Sequence, residues 1–296
     1  MAGQDKKIPV ILDTDIGGDI DDTWALALLL KSPELDLKLV VTETGNTTYR
    51  AKIVAKMLQL ANRTDVPVGI GIHLKKETGP QAPWVEGYGL SAYPGTVYPD
   101  GVTALIDTIM SSPEPITLIA IGPVPNLRVA LEQEPRIAEK VRFVGMHGSL
   151  RKGHNGSEGV SAEYNVKAYP EDCRKVFTAA WDMTITPLDT CGLVKLRGDK
   201  YVKVRDSQDI ITRAVMENYR IWAEDKTVTG RESSILFDTV AVYLAFSEEL
   251  LVMEKLGVRI TDDGYTLIDD KAKIINCAAG WKNISAFENL LVERLG

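Results

Sequence analysis

The chain has 296 residues, 45% of them hydrophobic and 25% charged, globular values that exclude a disordered chain and a length that needs no disulfide or metal merely to fold. Its 34 Lys and Arg against 41 Asp and Glu give a net charge of −7 without a basic block, which argues against nucleic acid as a partner. No apolar run reaches the ~20 residues of a membrane span, residues 1–7 lack a signal peptide's apolar stretch, and Cys173, Cys191 and Cys277 form no pair motif and read as reduced core thiols, so a soluble cytoplasmic protein with no membrane partner is expected.

In chain order, residues 8–12 (IPVIL) predict a buried strand. Residues 21–30 predict an Ala- and Leu-rich helix that stops near Ser32-Pro33. Residues 37–42 predict a second strand, residues 47–60 a helix with Ala51, Val54, Ala55 and Leu58 on one face, and residues 66–70 a third strand. Residues 116–121 and 141–146 repeat the strand pattern, with a helix near residues 126–131 between them. Apolar runs of this length, each followed by a helix, predict an α/β fold: an open, Rossmann-like, mostly parallel sheet with helices on both faces. Two stretches break the rhythm, residues 73–100, rich in Gly, Pro, Tyr and Trp, and the Gly-rich polar residues 151–161. Loops this long are usually functional, and after strands of such a sheet they sit at the ligand-binding ends.

The most informative segment is residues 11–25, ILDTDIGGDIDDTWA. Asp13, Asp15, Asp19, Asp21 and Asp22 fall within ten positions around Gly17-Gly18, between a strand and a helix. One or two aspartates would serve as helix caps. Five would repel one another unless a cation compensates. With only oxygen donors nearby, a hard ion, Ca²⁺ or Mg²⁺, is favoured over zinc. An EF-hand fails because Trp24 stands where the twelfth-position Glu belongs, and a phosphate-binding loop fails because no Gly-Lys-Ser/Thr follows. A water beside a cation and carboxylates is a ready nucleophile, which points to hydrolysis.

The loop resembles the Asp-x-Asp-Pro-Gly-x-Asp-Asp signature of the inosine–uridine-preferring nucleoside hydrolase family. Ile16 replaces the proline, two residues are added, and the final pair is matched by Asp21-Asp22, leaving Asp19 as an extra carboxylate. Four later segments resemble the family in its order: Gly45-Asn46; Gly122-Pro123-Val124-Pro125-Asn126; Ala162-Glu163-Tyr164-Asn165; and Phe237-Asp238-Thr239-Val240-Ala241. The resemblance implies a single nucleoside hydrolase domain over residues 1–296 that cleaves ribonucleosides to free base and ribose. It also implies a homodimer or homotetramer, and a place in nucleoside catabolism and purine salvage. It implies Ca²⁺ on Asp15, Asp22, Asp238 and the Ile121 carbonyl, with Asp15 also the general base. Asp21 and Asn46 would hold the ribose 2′- and 3′-hydroxyls, and Glu163, Asn165 and Asn155 the rest of the sugar.

The sequence departs from the family at Phe237, where many members carry a histidine that protonates the leaving base. The three histidines here are His73, His147 and His154. In another branch of the family, aromatic rings stack on a purine instead. Trp84 in the first long loop, with Phe237 opposite, would do the same, and Tyr88, Tyr93, Tyr219 and Trp222 are further candidates. A slight preference for purine nucleosides follows. Two other readings stand beside this one. A ribonucleoside- or ribose-binding protein with little turnover is supported by the missing histidine. A phosphohydrolase of the haloacid dehalogenase type shares the strand-Asp-x-Asp start but has Gly17 where that family wants Thr or Val.

Overall fold

The computed structural model describes residues 6–224 and 230–296. Residues 1–5, most of the polar N-terminal stretch, lie outside the described residues. The first strand, β1 (Ile8–Thr14), lies inside the sheet, paired on both edges. Val10 and Leu12 bury into one core cluster and Ile11 into another, one on each face of the sheet. This double burial is why the strand reads as an unbroken apolar run rather than an alternating one. The helix α1 (Asp21–Leu30) is buried on nearly every side and ends where Ser32 Oγ donates to the Leu28 carbonyl, just before Pro33.

The remaining elements follow in order: β2 (Leu35–Thr42), α2 (Thr47–Leu60), β3 (Val68–Ile70), β4 (Val97–Tyr98), α3 (Gly101–Ser111), β5 (Ile116–Ala120), α4 (Pro125–Gln133) and β6 (Val141–Met146). After these come α5 (Tyr164–Lys167), α6 (Pro170–Thr178), β7 (Asp182–Thr186), α7 (Asp199–Arg205), α8 (Ile210–Trp222), α9 (Thr239–Leu244), β8 (Leu251–Ile260), β9 (Thr266–Ile268), β10 (Ile274–Trp281) and α10 (Ile284–Leu295). The described strands form one sheet in the order β4-β3-β2-β1-β5-β6-β7-β10-β8-β9. Pairing is parallel from β4 to β10, and β8 and β9 add antiparallel strands at the far edge. One core cluster packs α1, α2, α8, α9 and α10 on one face, and the other packs α3, α4 and α6 on the opposite face.

The chain first builds outward from β1 through β2, β3 and β4. It then returns to place β5 on the other side of β1. Loops leaving β1 and β5 therefore diverge, and their carboxyl ends open the crevice in which such sheets bind ligands. The predicted α1, α2 and β6 match the observed bounds, and β1 and β2 extend two residues beyond prediction at one end. The long first loop carries short 3₁₀ turns at Ala82–Val85 and Leu90–Ala92, and its end forms β4. No helix among the described residues is long and apolar enough to cross a membrane. All three cysteines are buried and unpaired.

Candidate active site

At the carboxyl end of β1 lies a cavity of about 410 Å³, within the roughly 300–1,000 Å³ of small-molecule sites. Eight of the eleven residues that the resemblance assigns to the ion, the sugar or the base line it: Asp15, Asp21, Asp22, Ile121, Glu163, Asn165, Phe237 and Asp238. They come from β1, the first turn of α1, the end of β5, the start of α5 and the approach to α9. Close approach of β5 to β1 requires glycine at position 122, where a Cβ would lie 2.8 Å from Asp15 Oδ1. Gly17 is needed for the turn itself, with φ at +98° and the Tyr49 and Ile53 side chains against its α-carbon.

Asp21, Asp22 and Asp238 each bring a carboxylate oxygen within 4.8 Å of the others. All three are buried. Neither α1 nor α9 has a side-chain N-cap, so these acids are not used as caps. Burial, then repulsion among neighbouring carboxylates, raises all three well above the usual range, while Thr14 Oγ1 donates to Asp22 at 2.5 Å and opposes this. A buried all-oxygen donor set whose members repel one another fits a hard divalent cation. The expected trio was Asp15, Asp22 and Asp238; in the fold Asp21 makes the close third member. Asp15 is pushed up by burial but faces the Arg50 guanidinium at 3.7 Å, which lowers it.

Behind Asp15, the buried Asp13 accepts from Asn126 Nδ2 at 3.0 Å, and burial raises it to about 7. Glu163 takes backbone N–H bonds from Gly148, Asn165 and Val166, yet burial outweighs them and holds its carboxyl at about 7. Asn165 Nδ2 donates to the Ile121 carbonyl at 3.2 Å and to the Met146 carbonyl at 3.0 Å, which fixes the end of β5.

Asn46, Trp84 and Asn155 are not brought to the cavity wall. Asn46 caps α2, accepting from the Tyr49 N–H and donating to the Lys76 carbonyl. Trp84 is buried between α2 and α8, with Lys56 Nζ 4.2 Å over its ring and its Nε1 donating to Glu217 at 3.1 Å. A 3₁₀ turn folds this loop tryptophan inward, so it serves packing. Tyr93 and Tyr219 are likewise core residues. Asn155 is exposed on a turn at φ 57°, next to the lining residue His154. Residues of the lining that sequence reasoning did not single out are Arg50, Met146, Tyr164 and Leu188. Arg50 also donates to the Thr44 and Ile16 carbonyls at 2.9 and 2.8 Å. Its signal was present: a lone cation in the first turn of the helix after Gly45-Asn46. The extra carboxylate, Asp19, is exposed on the wall and accepts from the Ile20 N–H.

These raised carboxyls fix the sign of a pH effect. Their charged forms are disfavoured in the fold relative to the unfolded chain. The stability they contribute is full below an unfolded carboxylate pKa of about 4 and is lost as pH rises through the folded values. The thermal midpoint of ion-free protein should therefore fall between about pH 5 and pH 8, and an added hard divalent cation should stabilise more at the upper end. A midpoint that climbs across this range in EDTA would contradict the charge assignment.

The sequence model of the inosine-uridine preferring nucleoside hydrolase family matches residues 10–294. A non-specific ribonucleoside hydrolase of Shigella boydii is 28% identical over 269 residues, 87% of this chain and 85% of the relative. A non-specific ribonucleoside hydrolase of Escherichia coli is 34% identical over 204 residues, 65% of either chain. Among solved structures, a plant nucleoside hydrolase superposes with a TM-score of 0.84 at 23% identity, covering 98% of this chain and 99% of that one. A purine-preferring ribonucleoside hydrolase from Gardnerella vaginalis gives 0.77 at 21% identity, covering 97% and 98%. At these identities the two structures speak to the fold.

Proposed function

The chain belongs to the inosine-uridine preferring nucleoside hydrolase family, enzymes of N-ribosyl bonds, and we propose that it hydrolyses ribonucleosides to free base and ribose with a calcium ion at Asp21, Asp22 and Asp238. The observation that carries this reading is the buried carboxylate cluster beside Asp15 at the carboxyl end of β1. Asp15 and the Ile121 carbonyl complete the oxygen set on the same wall. Bound calcium would supply positive charge that acidifies a water and attracts the ribose hydroxyls.

Asp15 takes the proton of the attacking water as the C1′–N bond opens. Arg50 holds Asp15 in place and, as a neighbouring cation, favours its charged form. Asn165 keeps the Ile121 carbonyl turned toward the cavity. Glu163 and Asp21 receive the sugar hydroxyls. Phe237 and Leu188 give the base an apolar wall. The slight purine preference expected from stacking rests on Phe237, since Trp84 packs elsewhere. Relatives described as non-specific support a wide base range.

The reading also includes one domain over residues 1–296, a homodimer or homotetramer, and a role in cytoplasmic nucleoside catabolism and purine salvage, in keeping with the reduced thiols. Phe237 in the position of the usual acid favours a second reading, a ribonucleoside-binding protein with little turnover. Ribose release separates the two. A site built to hydrogen-bond a hydroxyl rejects the analogue without it by leaving buried polar groups unpaired, worth about 10⁴–10⁵-fold at best. Inosine should therefore be cleaved orders of magnitude faster than 2′-deoxyinosine, read as kcat/KM. Equal values would mean that the hydroxyl contacts are misassigned.

A further inference from the structure

A nucleoside hydrolase must help its base depart, and Phe237 has no proton to give. Of the three histidines, His147 is buried, with its Nε2 against the Gly122 carbonyl at 3.1 Å, and burial lowers it to about 4. It is shut away from the cavity space. His73 is exposed and does not line the cavity. His154 is exposed and does line it.

The loop after β6 holds His154 at the same rim as Phe237. Its 3₁₀ turn, His154–Gly156, leans on the segment Cys191–Leu193, where a Cβ on Gly156 would lie 3.1 Å from Leu193 Cδ2. The adjoining Gly192 backs onto Phe237, with a Cβ there 3.8 Å from Phe237 Cε1. The root of the loop is pinned, since the Asp189 carboxylate accepts the N–H groups of Leu150, Arg151 and Lys152 at 2.8, 2.8 and 3.1 Å. Arg151 also forms a bidentate pair with Glu254 at 3.0 and 2.8 Å. Past the root, the Ser157 N–H donates to the His154 carbonyl at 3.2 Å. The backbone is thus held at several points, while the His154 ring makes no hydrogen bond among the described residues.

Other ionisable groups on the cavity are otherwise engaged or set deeper. Asp21, Asp22 and Asp238 form the ion cluster, Asp15 is the base, and Glu163 is taken up by backbone N–H groups. Arg50 is tied to Ile16, Thr44 and Asp15. Asp19 spends its carboxylate on the Ile20 N–H. Among the described lining residues, Tyr164, 60% exposed, is a rival proton donor.

We infer that His154 is the leaving-group acid of this enzyme, contacting the nucleobase from the loop beside Phe237 and replacing the histidine absent from position 237. The inference rests on the nucleoside hydrolase reading. As the C1′–N bond breaks, its electron pair stays on the base, and the His154 imidazolium gives its proton to a base nitrogen. The water oxygen bonds to C1′ and its proton goes to Asp15. Proton exchange with solvent returns both side chains to their starting forms. Imidazole suits the task because it exchanges a proton near neutral pH.

The test compares two leaving groups on intact, calcium-loaded protein. Acid catalysis contributes about 10²–10⁴-fold where the leaving group needs it. His154→Ala should lower kcat on inosine by at least about 10²-fold and leave kcat on p-nitrophenyl riboside, whose leaving group needs no proton, within about threefold of wild type. The exposed position predicts an unchanged thermal midpoint, which checks folding. Equal losses on both substrates, or no loss on either, overturn the assignment. It is also overturned if Tyr164→Phe gives the selective loss and His154→Ala does not. Wild-type protein that cleaves neither substrate overturns the parent reading and this one with it.

Discussion

Changing Asp15 to asparagine is expected to lower kcat on inosine by about 10²–10⁴-fold, the usual contribution of a general base, with a much smaller change in KM. The amide matches the carboxylate in shape but cannot take a proton from water. A group that acts only in the transition state is lost from kcat rather than from substrate binding. Arg50 would face the neutral amide at a contact now 3.7 Å long, so some local rearrangement is expected, and bound calcium should be measured in the same samples. An Asp15→Asn protein with full calcium and near-normal turnover would refute the assignment.

Changing Asp238 to asparagine should abolish measurable turnover and also uncouple stability from calcium. In wild type, an ion that binds only the folded state at about 100 times its Kd adds about 2.7 kcal/mol. The variant should lose most of that gain. Without calcium the sign reverses. Asp238 is buried against Asp21 and Asp22, which raise its pKa after burial itself. Removing one of three repelling acids should therefore leave ion-free protein at least as stable as ion-free wild type. Thermal unfolding of both proteins in EDTA and in calcium checks both parts. An ion-free variant far less stable than ion-free wild type would mean that Asp238 supports the fold by some other contact.

Much of this architecture was legible in the sequence because the signals were local. The unbroken apolar run of β1 and the spaced small and apolar residues of α2 each carry a clear pattern. The acid-rich loop pointed to a cation site because five carboxylates in ten positions repel one another, and two of them, Asp21 and Asp22, meet Asp238 in a cluster that could hold a metal. What the sequence did not carry depends on how elements turn toward one another. Asp21 rather than Asp15 completes the close carboxylate trio because both Asp21 and Asp22 sit in the first turn of α1, facing Asp238. Trp84 looked like a loop ring free to stack on a base. Its environment is set by Lys56 and Glu217, which no local pattern links to it. The antiparallel β8–β9–β10 edge was missed because its pairings join residues around 251–281 to one another and to β7. Strand β4 is only two residues long within a Gly- and Pro-rich stretch.

The most direct measurement of the central claim is free ribose released from inosine and uridine by wild-type protein, in calcium and after exhaustive chelation. The account predicts ribose and free base in equal amounts with calcium, none after chelation, and recovery when calcium is restored. Full ribose release from metal-free protein, or tight nucleoside binding with no ribose released in calcium, would contradict it.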